Sequence, residues 1–379
     1  MEFIGFLWDY VIPFLFILTV LVFVHELGHY LIARRNGVRV EVFSVGFGRE
    51  IYGWTDRVGT RWKISAVPLG GYVKMFGEGD FIDEDGEDER PLTPEEQAVS
   101  FHHKKLGQRA AIVAAGPIAN FLFAIVLLAG LFSIAGNPSP YSAIGTIQSD
   151  SAAADAGFKS GDRILSIEGE SILWFEDLRR IISVNPGRKL SFQVLREDQE
   201  LSLVATPKAR KMKSDSGEMR EIGLLGVSPD PEQVGYIRMN PLSATWMAVE
   251  RTYGLTAQIM NALGQIISGQ RTAKELGGPL RIAQISGQMA QGGVMNLIFF
   301  MAALSINLGL INLFPIPMLD GGHLVFYMAE AVRGRPIGAR AQEYSFRFGL
   351  ILVLLLMVFV TWNDLVQLKV FEFLKQLIT

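Results

Sequence analysis

"TVLVFVHELGHYLIARRNG", residues 19–37, sets two histidines and a glutamate inside an apolar run. A charged side chain at the centre of a membrane helix costs about 2.5–3.5 kcal/mol on insertion scales, so His25, Glu26 and His29 together require a reason. Residues four apart share one face of a helix. His25 and His29 can therefore hold a tetrahedral Zn²⁺ between them, with Glu26 alongside as a base for the water that attacks a carbonyl. A fortuitous match would leave three polar side chains desolvated inside a span with nothing to offset the penalty.

The rest of the chain agrees with a membrane setting. Of its 379 residues, 49% are hydrophobic and 19% charged, and its mean hydropathy is +0.28. That balance implies membrane spans joined to soluble parts. There is no cysteine, which excludes disulfides and thiolate metal sites, so a metal must be held by nitrogen and oxygen. The net charge of −3 offers no basic field for nucleic acid, and no such binding motif is present.

A bilayer takes about 20 helical residues to cross. Four stretches qualify: Ile4–Tyr30, Ala110–Ala135, Val294–Leu313 and the shorter Phe348–Trp362. A fifth, Ala244–Ser268, carries Glu250, Arg251 and several amides, and is expected to lie on a surface as an amphipathic helix. The opening MEFIGFLWDY has no Lys or Arg, so the first span is expected to be retained rather than cleaved as a signal. Arg34, Arg35 and Arg39 follow span one, and Lys104, Lys105 and Arg109 precede span two. Arg333, Arg335, Arg340 and Arg347 lie between spans three and four. Basic loops face the cytoplasm, which puts both termini and the long 136–293 segment on the other side.

Within the first cytoplasmic loop, "VRVEVFSVGFG" and "GTRWKISAVPLGGYVKMFGE" read as strands, with Pro68-Leu69-Gly70-Gly71 as the turn of a hairpin dipping toward the membrane. The acid-rich "EGDFIDEDGEDERPLTPEE" reads as a solvated loop. A calcium loop with Gly86 at its sixth position would begin on Phe81, where a carboxylate such as Asp is wanted and the side chain has no oxygen.

The outer segment holds "IGTIQSDSAAADAGFKSGDRILSIEGESI", followed by "FEDLRRIISVNPGRKLSFQVLRE". This pattern resembles one bacterial, circularly permuted PDZ domain over about 141–230, a module that adds an extended peptide to a sheet edge. A spacer of the same fold that binds no peptide is the alternative.

A catalytic zinc with two histidines takes a third protein ligand. His102 and His103, in "SFHHKKLGQR", are expected at an interfacial depth that is wrong for the metal. Asp320 and His323, in "INLFPIPMLDGGH", are the rivals. Proline-broken backbone at membrane depth needs protein or a water-filled cavity around it.

"HELGH", "GPIANF" (116–121) and "NLFPIPMLDGG" (312–322), on separate spans with a PDZ-like domain between, resemble the site-2 protease family of intramembrane zinc metalloproteases (M50-type). The similarity is to the regulator of sigma-E protease group, in the single-PDZ form seen in alphaproteobacteria. The resemblance implies one Zn²⁺ per chain, His25, His29 and Asp320 as its ligands, and Glu26 as general base. It implies Asn312 as a donor to substrate or its oxyanion and Asn120 as a further substrate-holding residue, against a helix-packing role beside Gly116. It also implies that the edge formed by Ile64, Ser65, Ala66, Val67, Pro68, Leu69, Gly70, Gly71, Tyr72 and Val73 clamps an unwound substrate strand.

The expected fold is thus an α-helical polytopic membrane protein of about four spans, with a membrane-associated β-hairpin or sheet and one α+β PDZ-like domain. Its segments are span one at 1–35, a cytoplasmic loop with the hairpin and acidic segment at 36–109, and span two at 110–136. A periplasmic PDZ-like domain follows at 137–235, then an amphipathic linker at 236–293 and span three with the third ligand at 294–322. A cytoplasmic loop at 323–347, span four at 348–368 and a tail at 369–379 complete it. The expected activity is the second cut of single-pass membrane proteins in a bacterial inner membrane, after an upstream site-1 protease. The resemblance implies a pre-cleaved anti-sigma factor and remnant signal peptides as substrates. A catalytically inactive PDZ-containing membrane adaptor is the alternative, although it gives Glu26 no role. An ion transporter would explain the buried charges and leave Glu26 and the outer domain unexplained.

Overall fold

The computed structural model describes residues 5, 7–77, 92–213, 219–272 and 277–367. Residues 78–91 of the acidic loop and the 369–379 tail lie outside them. The chain divides into two compact units, 132–240 and the remainder.

The first span opens with a π-turn, Leu7–Val11, and continues as α1 (Ile12–Arg35). Its buried residues, Ile17, Leu21, His25, Gly28, His29 and Ala33, recur every three or four positions. The histidines therefore ride on the stripe that packs against the other helices. Asn36 ends the helix by donating its side-chain N–H to the Ile32 carbonyl at 2.8 Å, and Gly37 follows at φ +69°. Arg34 and Arg35 stand at the negative end of the helix dipole.

Two long strands follow, β1 (Val40–Thr55) and β2 (Arg61–Met75). Val42–Val45 of β1 lie between Arg61–Ile64 on one side and Gly71–Lys74 on the other, so β2 wraps around the end of β1, with Val67 opposite Phe47. The hairpin turn expected at Pro68–Gly71 is instead a bend within β2, with Gly70 at φ +126°. Glycine admits that conformation, and Pro68 has no N–H to give a neighbouring strand. The turn that joins the strands lies at Asp56–Thr60, where the Asp56 N–H reaches the Thr60 carbonyl at 3.0 Å. Asp56 organises it through an Asx-type arrangement. Its Oδ1 accepts the N–H groups of Val58 and Thr60 at 2.9 and 3.0 Å. Its Oδ2 accepts Trp62 Nε1–H at 2.9 Å and the Tyr30 hydroxyl at 3.3 Å. Tyr30 belongs to α1, so one carboxylate ties the sheet to the span.

A short helix, α2 (Pro94–Val99), starts at a Thr93–Glu96 capping box. It leads to α3 (Leu106–Ile134), the second apolar span. A stripe of Ile112, Gly116, Asn120, Ala124 and Leu128 is buried along it. A Cβ on Gly28 of α1 would fall 2.4 Å from the Ala115 carbonyl oxygen, so the two spans meet backbone to backbone.

The 132–240 unit contains a four-stranded sheet of β3 (Arg163–Ile167), β4 (Glu170–Ser171), β5 (Leu190–Arg196) and β6 (Gln199–Ala205), ordered β4-β3-β5-β6. Two helices, α4 (Ala152–Asp155) and α5 (Phe175–Ser183), belong to the same unit. Ile144, Phe158, Ile164, Leu178, Ile182 and Phe192 share its apolar core. Asp162 is fully buried there, held by Arg196 through two contacts of 2.7 Å and by the Lys159 N–H at 2.8 Å. A bidentate pair with an added backbone donor is the form in which a buried carboxylate is tolerated.

Five helices complete the chain: α6 (Pro241–Ile267), α7 (Pro279–Gln291), α8 (Val294–Asn312), α9 (Asp320–Arg333) and α10 (Ala339–Gln367). Among the described residues, four helical stretches are long and apolar enough to cross a membrane: Leu7–Arg35, Leu106–Ile134, Val294–Asn312 and Arg340–Gln367. The α6 helix is not one of them. It buries Ala244, Ala248 and Thr252 and exposes Leu242, Trp246 and Tyr253. Asp364 of α10 accepts the Gly278 and Arg281 N–H groups at 2.9 and 3.1 Å, capping α7 from another element.

Slight burial alone would raise Asp56, but hydrogen bonds from Trp62, Thr60, Val58 and Tyr30 outweigh it and hold the carboxyl below its ordinary value. A value lowered by folding stabilises the fold above the unfolded pKa of about 3.9 and loses that contribution as pH falls through the folded value. Asp56→Ala is expected to lower the thermal midpoint at pH 7 by the equivalent of about 1–2 kcal/mol. The gap to the parent should narrow below about pH 4 as Asp56 protonates. Thermal unfolding of both proteins in detergent across this range measures it.

Candidate metal centre

His25 and His29 project from one turn of α1, and Asp320 is the first residue of α9. His25 Nε2 lies 3.2 Å from His29 Nε2 and 3.1 Å from Asp320 Oδ2. His29 Nε2 lies 3.6 Å from Asp320 Oδ1. One donor atom from each residue falls within 4.8 Å of the others. Asn312 Nδ2 approaches the same point, 3.4 Å from His25 Nε2.

Zinc holds such nitrogens and oxygens at about 2.0–2.2 Å, which sets tetrahedral neighbours about 3.3 Å apart. His25 Nε2 keeps about that spacing to His29 Nε2 at 3.2 Å and to Asp320 Oδ2 at 3.1 Å, while His29 Nε2 meets the other carboxylate oxygen, Oδ1, at 3.6 Å. Protonation supports the same conclusion. His29 Nδ1 lies 2.9 Å from the Ile112 carbonyl oxygen, which can only accept, so Nδ1 carries a proton and Nε2 is the nitrogen turned to the cluster, the one available to a cation. Asp320 Oδ2 is buried and accepts no hydrogen bond, although His25 Nε2 is 3.1 Å away. Converging lone pairs with an orphaned carboxylate oxygen form a set that a cation completes. The residues fit zinc.

Small residues make the convergence possible. A Cβ on Gly116 of α3 would fall 2.2 Å from His29 Nε2 and 2.8 Å from His25 Cε1. Pro315 and Pro317 cannot continue α8, and Met318 takes φ +96°, so the chain turns before α9 begins. The 294–322 segment is therefore a helix, a proline-broken loop and the start of another helix. Cβ atoms on Gly321 and Gly322 would fall 2.3 Å from the Leu313 carbonyl oxygen and 2.5 Å from that of Ile316. The glycines let the first turn of α9, and Asp320 with it, pack beneath its own loop.

A cavity of about 1270 Å³ opens beside the cluster, lined by His25, Glu26, His29, Asn312 and Asp320 together with Gly70, Gly71, Tyr72 and Val73 of β2. The Val73 N–H faces the Glu26 carboxylate. Of the ten residues expected to clamp a substrate strand, these last four line the cavity. Ile64, Val67 and Leu69 are exposed elsewhere, and Ser65 is buried against Ser44, their hydroxyls 3.1 Å apart. Asn120 does not line the cavity. It is completely buried, with Nδ2 3.1 Å from His25 Nδ1.

His323, the rival ligand, lines the cavity but stands outside the His25–His29–Asp320 group. Its ring rests near Phe346, centroids 5.2 Å apart, and burial lowers its pKa from the ordinary imidazole value. His102, expected at the wrong depth, also lines the cavity, while His103 meets the Ser100 hydroxyl at 3.1 Å. Sequence reasoning missed the Arg109–Glu330 pair in the same wall, 2.5 Å apart. Arg109 carries an orientation signal for the span, and nothing in its spacing from Glu330 suggests a partner.

Comparison with known proteins yields a consistent set of relatives. The model of peptidase family M50 matches residues 13–356. A protein of Agrobacterium fabrum named as a zinc metalloprotease is 46% identical, over 95% of this chain and 97% of its own. One from Brucella suis, similarly named, is 44% identical over 94% of each chain. A protein of Salmonella typhi named regulator of sigma E protease is 34% identical over 94% of this chain and 98% of its own. Among solved structures, the PDZ domain of an SdrC-like protein from Listeria monocytogenes is 17% identical. It covers 25% of this chain and 90% of its own, at a TM-score of 0.19.

Gly116→Ala separates the site from the fold. Alanine's helix advantage of about 1 kcal/mol opposes an overpacking cost of about 1–3 kcal/mol against the two buried rings, so the thermal midpoint of apoprotein should stay level or fall slightly. The methyl group displaces both imidazoles, and bound zinc per chain, measured by elemental analysis, should fall to a small fraction of the parent value.

Proposed function

The chain belongs to peptidase family M50 and is a multi-pass membrane zinc metalloprotease of the site-2 protease type, and from that premise we propose that it makes the second cut in single-pass membrane proteins already trimmed by an upstream protease. The observation that carries this reading is the meeting of His25, His29 and Asp320 beside Glu26 in a cavity walled by a strand edge.

In this reading His25 and His29 of α1 and Asp320 of α9 hold one Zn²⁺. When bound, zinc supplies Lewis acidity toward water and the scissile carbonyl. Glu26, next along α1 from His25, takes the proton from the attacking water and returns it to the departing amine. Asn312, whose amide Nδ2 points at the same place, donates to the oxygen on which negative charge develops.

A peptide bond in a helix is shielded by its own hydrogen bonds, so a spanning substrate must be drawn out before attack. Gly71–Lys74 pair with Val42–Val45 along one edge, and the Gly70–Val73 stretch lines the cavity. An extended substrate adds to that edge by strand pairing, which brings its carbonyl past Glu26. The wider clamp through Ile64 narrows in this reading to the four cavity residues.

In this reading 36–109 and 323–347 face the cytoplasm of a bacterial inner membrane and the 132–240 unit and both termini face the periplasm, an orientation that the arginines and lysines at the span ends support. There the PDZ-like unit admits substrates shortened by a site-1 protease. In this reading a pre-cleaved anti-sigma factor is one substrate class and remnant signal peptides another, and a relative named regulator of sigma E protease supports a role in that kind of cascade.

Glu26→Gln tests the chemistry. Loss of the base should lower cleavage of a truncated single-span substrate by about 10²–10⁴-fold, with zinc content retained. The same variant, expressed in cells, should trap single-span partners. Undiminished cleavage would end the peptidase reading.

A further inference from the structure

We propose that Asn120 positions the metal centre rather than the substrate: its side-chain oxygen accepts a hydrogen bond from His25 Nδ1–H and holds that imidazole with a bare Nε2 toward the cluster. This rests on the zinc peptidase reading and assigns a residue of the second span to it.

Three observations meet at this side chain. Asn120 is 0% exposed and stands outside the cavity lining. Its backbone oxygen accepts the Ser305 hydroxyl of α8 at 2.8 Å, and a Cβ on Gly309 would come 3.3 Å from its own Cβ. The residue is pinned between two spans, away from where a peptide could pass. Its amide lies 3.1 Å from His25 Nδ1, as good a hydrogen-bond length as His29 Nδ1 makes at 2.9 Å with the Ile112 carbonyl.

The amide's direction decides the chemistry. With Nδ2 toward the ring, His25 Nδ1 must be the acceptor, which forces the ring proton onto Nε2. That proton would then point into a space shared with His29 Nε2 at 3.2 Å and Asp320 Oδ2 at 3.1 Å. It would also leave Asn120 Oδ1 buried with no partner. Turning the amide by 180° exchanges two atoms of nearly equal size. Oδ1 then accepts from Nδ1–H, and Nε2 is free to coordinate. The turn moves the unpaired buried atom from oxygen to nitrogen, so the choice rests on the imidazole, and only the turned amide leaves it fit to bind a cation.

A pattern along α3 follows. Ile112, Gly116 and Asn120 recur every four residues on one face. The first supplies a backbone acceptor for His29, the second leaves room for both rings, and the third supplies a side-chain acceptor for His25. Second-span residues thus set the tautomer of both histidines.

The test compares full-length parent, Asn120→Asp, Asn120→Leu and His25→Ala in detergent, titrating zinc against a chelator of known affinity. Leucine fills the space without an acceptor and should weaken zinc about 10–100-fold. Aspartate keeps the acceptor and should bind zinc at least as tightly as the parent. Should the leucine variant not fold, aspartate alone decides: parental or tighter affinity upholds the proposal, and a tenfold loss overturns it. Unchanged zinc affinity in Asn120→Leu with a raised KM for a single-span substrate would overturn it in favour of a substrate-holding role. Equal zinc binding by the parent and His25→Ala would strike the underlying zinc reading instead, whatever Asn120 does.

Discussion

Two imidazole nitrogens 3.2 Å apart on one helical turn repel each other unless a cation or a proton lies between them. Helix geometry fixes where the rings start, yet it cannot choose which nitrogen of each faces inward. For His29 that choice comes from α3, whose Ile112 carbonyl accepts a hydrogen bond from Nδ1–H. The helix spacing of HELGH is therefore necessary for the centre and insufficient for it. A second span must supply acceptors at matching height, and it can do so only by lying close enough for side chains of α1 to reach its backbone.

Closeness of that order explains where the glycines fall. A methyl group on Gly28 would sit 2.4 Å from the Ala115 oxygen, and one on Gly116 would occupy the imidazoles' place. In lipid no hydrophobic drive holds helices together, so intimate van der Waals contact between small residues and a few buried hydrogen bonds must do so. The Ser305 hydroxyl on the Asn120 carbonyl oxygen is one such bond. Gly116 and Asn120, which lie where the spans meet, are also the residues against which the His25 and His29 rings rest.

HELGH, the four apolar spans and the proline-broken Asp320 segment were legible because each is local: helical spacing, a run of apolar residues, a missing backbone N–H. The wrapped course of β2 was not. Pro68-Leu69-Gly70-Gly71 has the composition of a turn, but Asp56 gathers four donors from Val58, Thr60, Trp62 and Tyr30, and the reversal settles there. Hydrogen bonds between distant residues decide such cases, and sequence spacing does not register them. The same holds for His102, in the turn before α3, and for the Arg109–Glu330 pair, which links α3 to α9 in the cavity wall. The residue type of Asn120 and its position on span two were visible, but its burial beside His25 Nδ1, outside the cavity lining, depended on rotation about the helix axis.

The wrap of β2 has a consequence for how chemistry and recognition are joined. Gly70–Val73 border the cavity while Val73 turns its N–H to Glu26, so the strand that would receive an unwound peptide also touches the proposed base. Asp56 anchors the far end of this sheet to Tyr30, one turn of α1 beyond Glu26. A sheet tied to α1 through Tyr30 and bordering Glu26 through Val73 has little room to shift register without disturbing that carboxylate. If a peptide docks on that edge as proposed, its docking and the alignment of the proposed base are one event. An uncleaved helical segment, which has no free backbone groups to pair with the edge, gains nothing from the site even when it lies beside it.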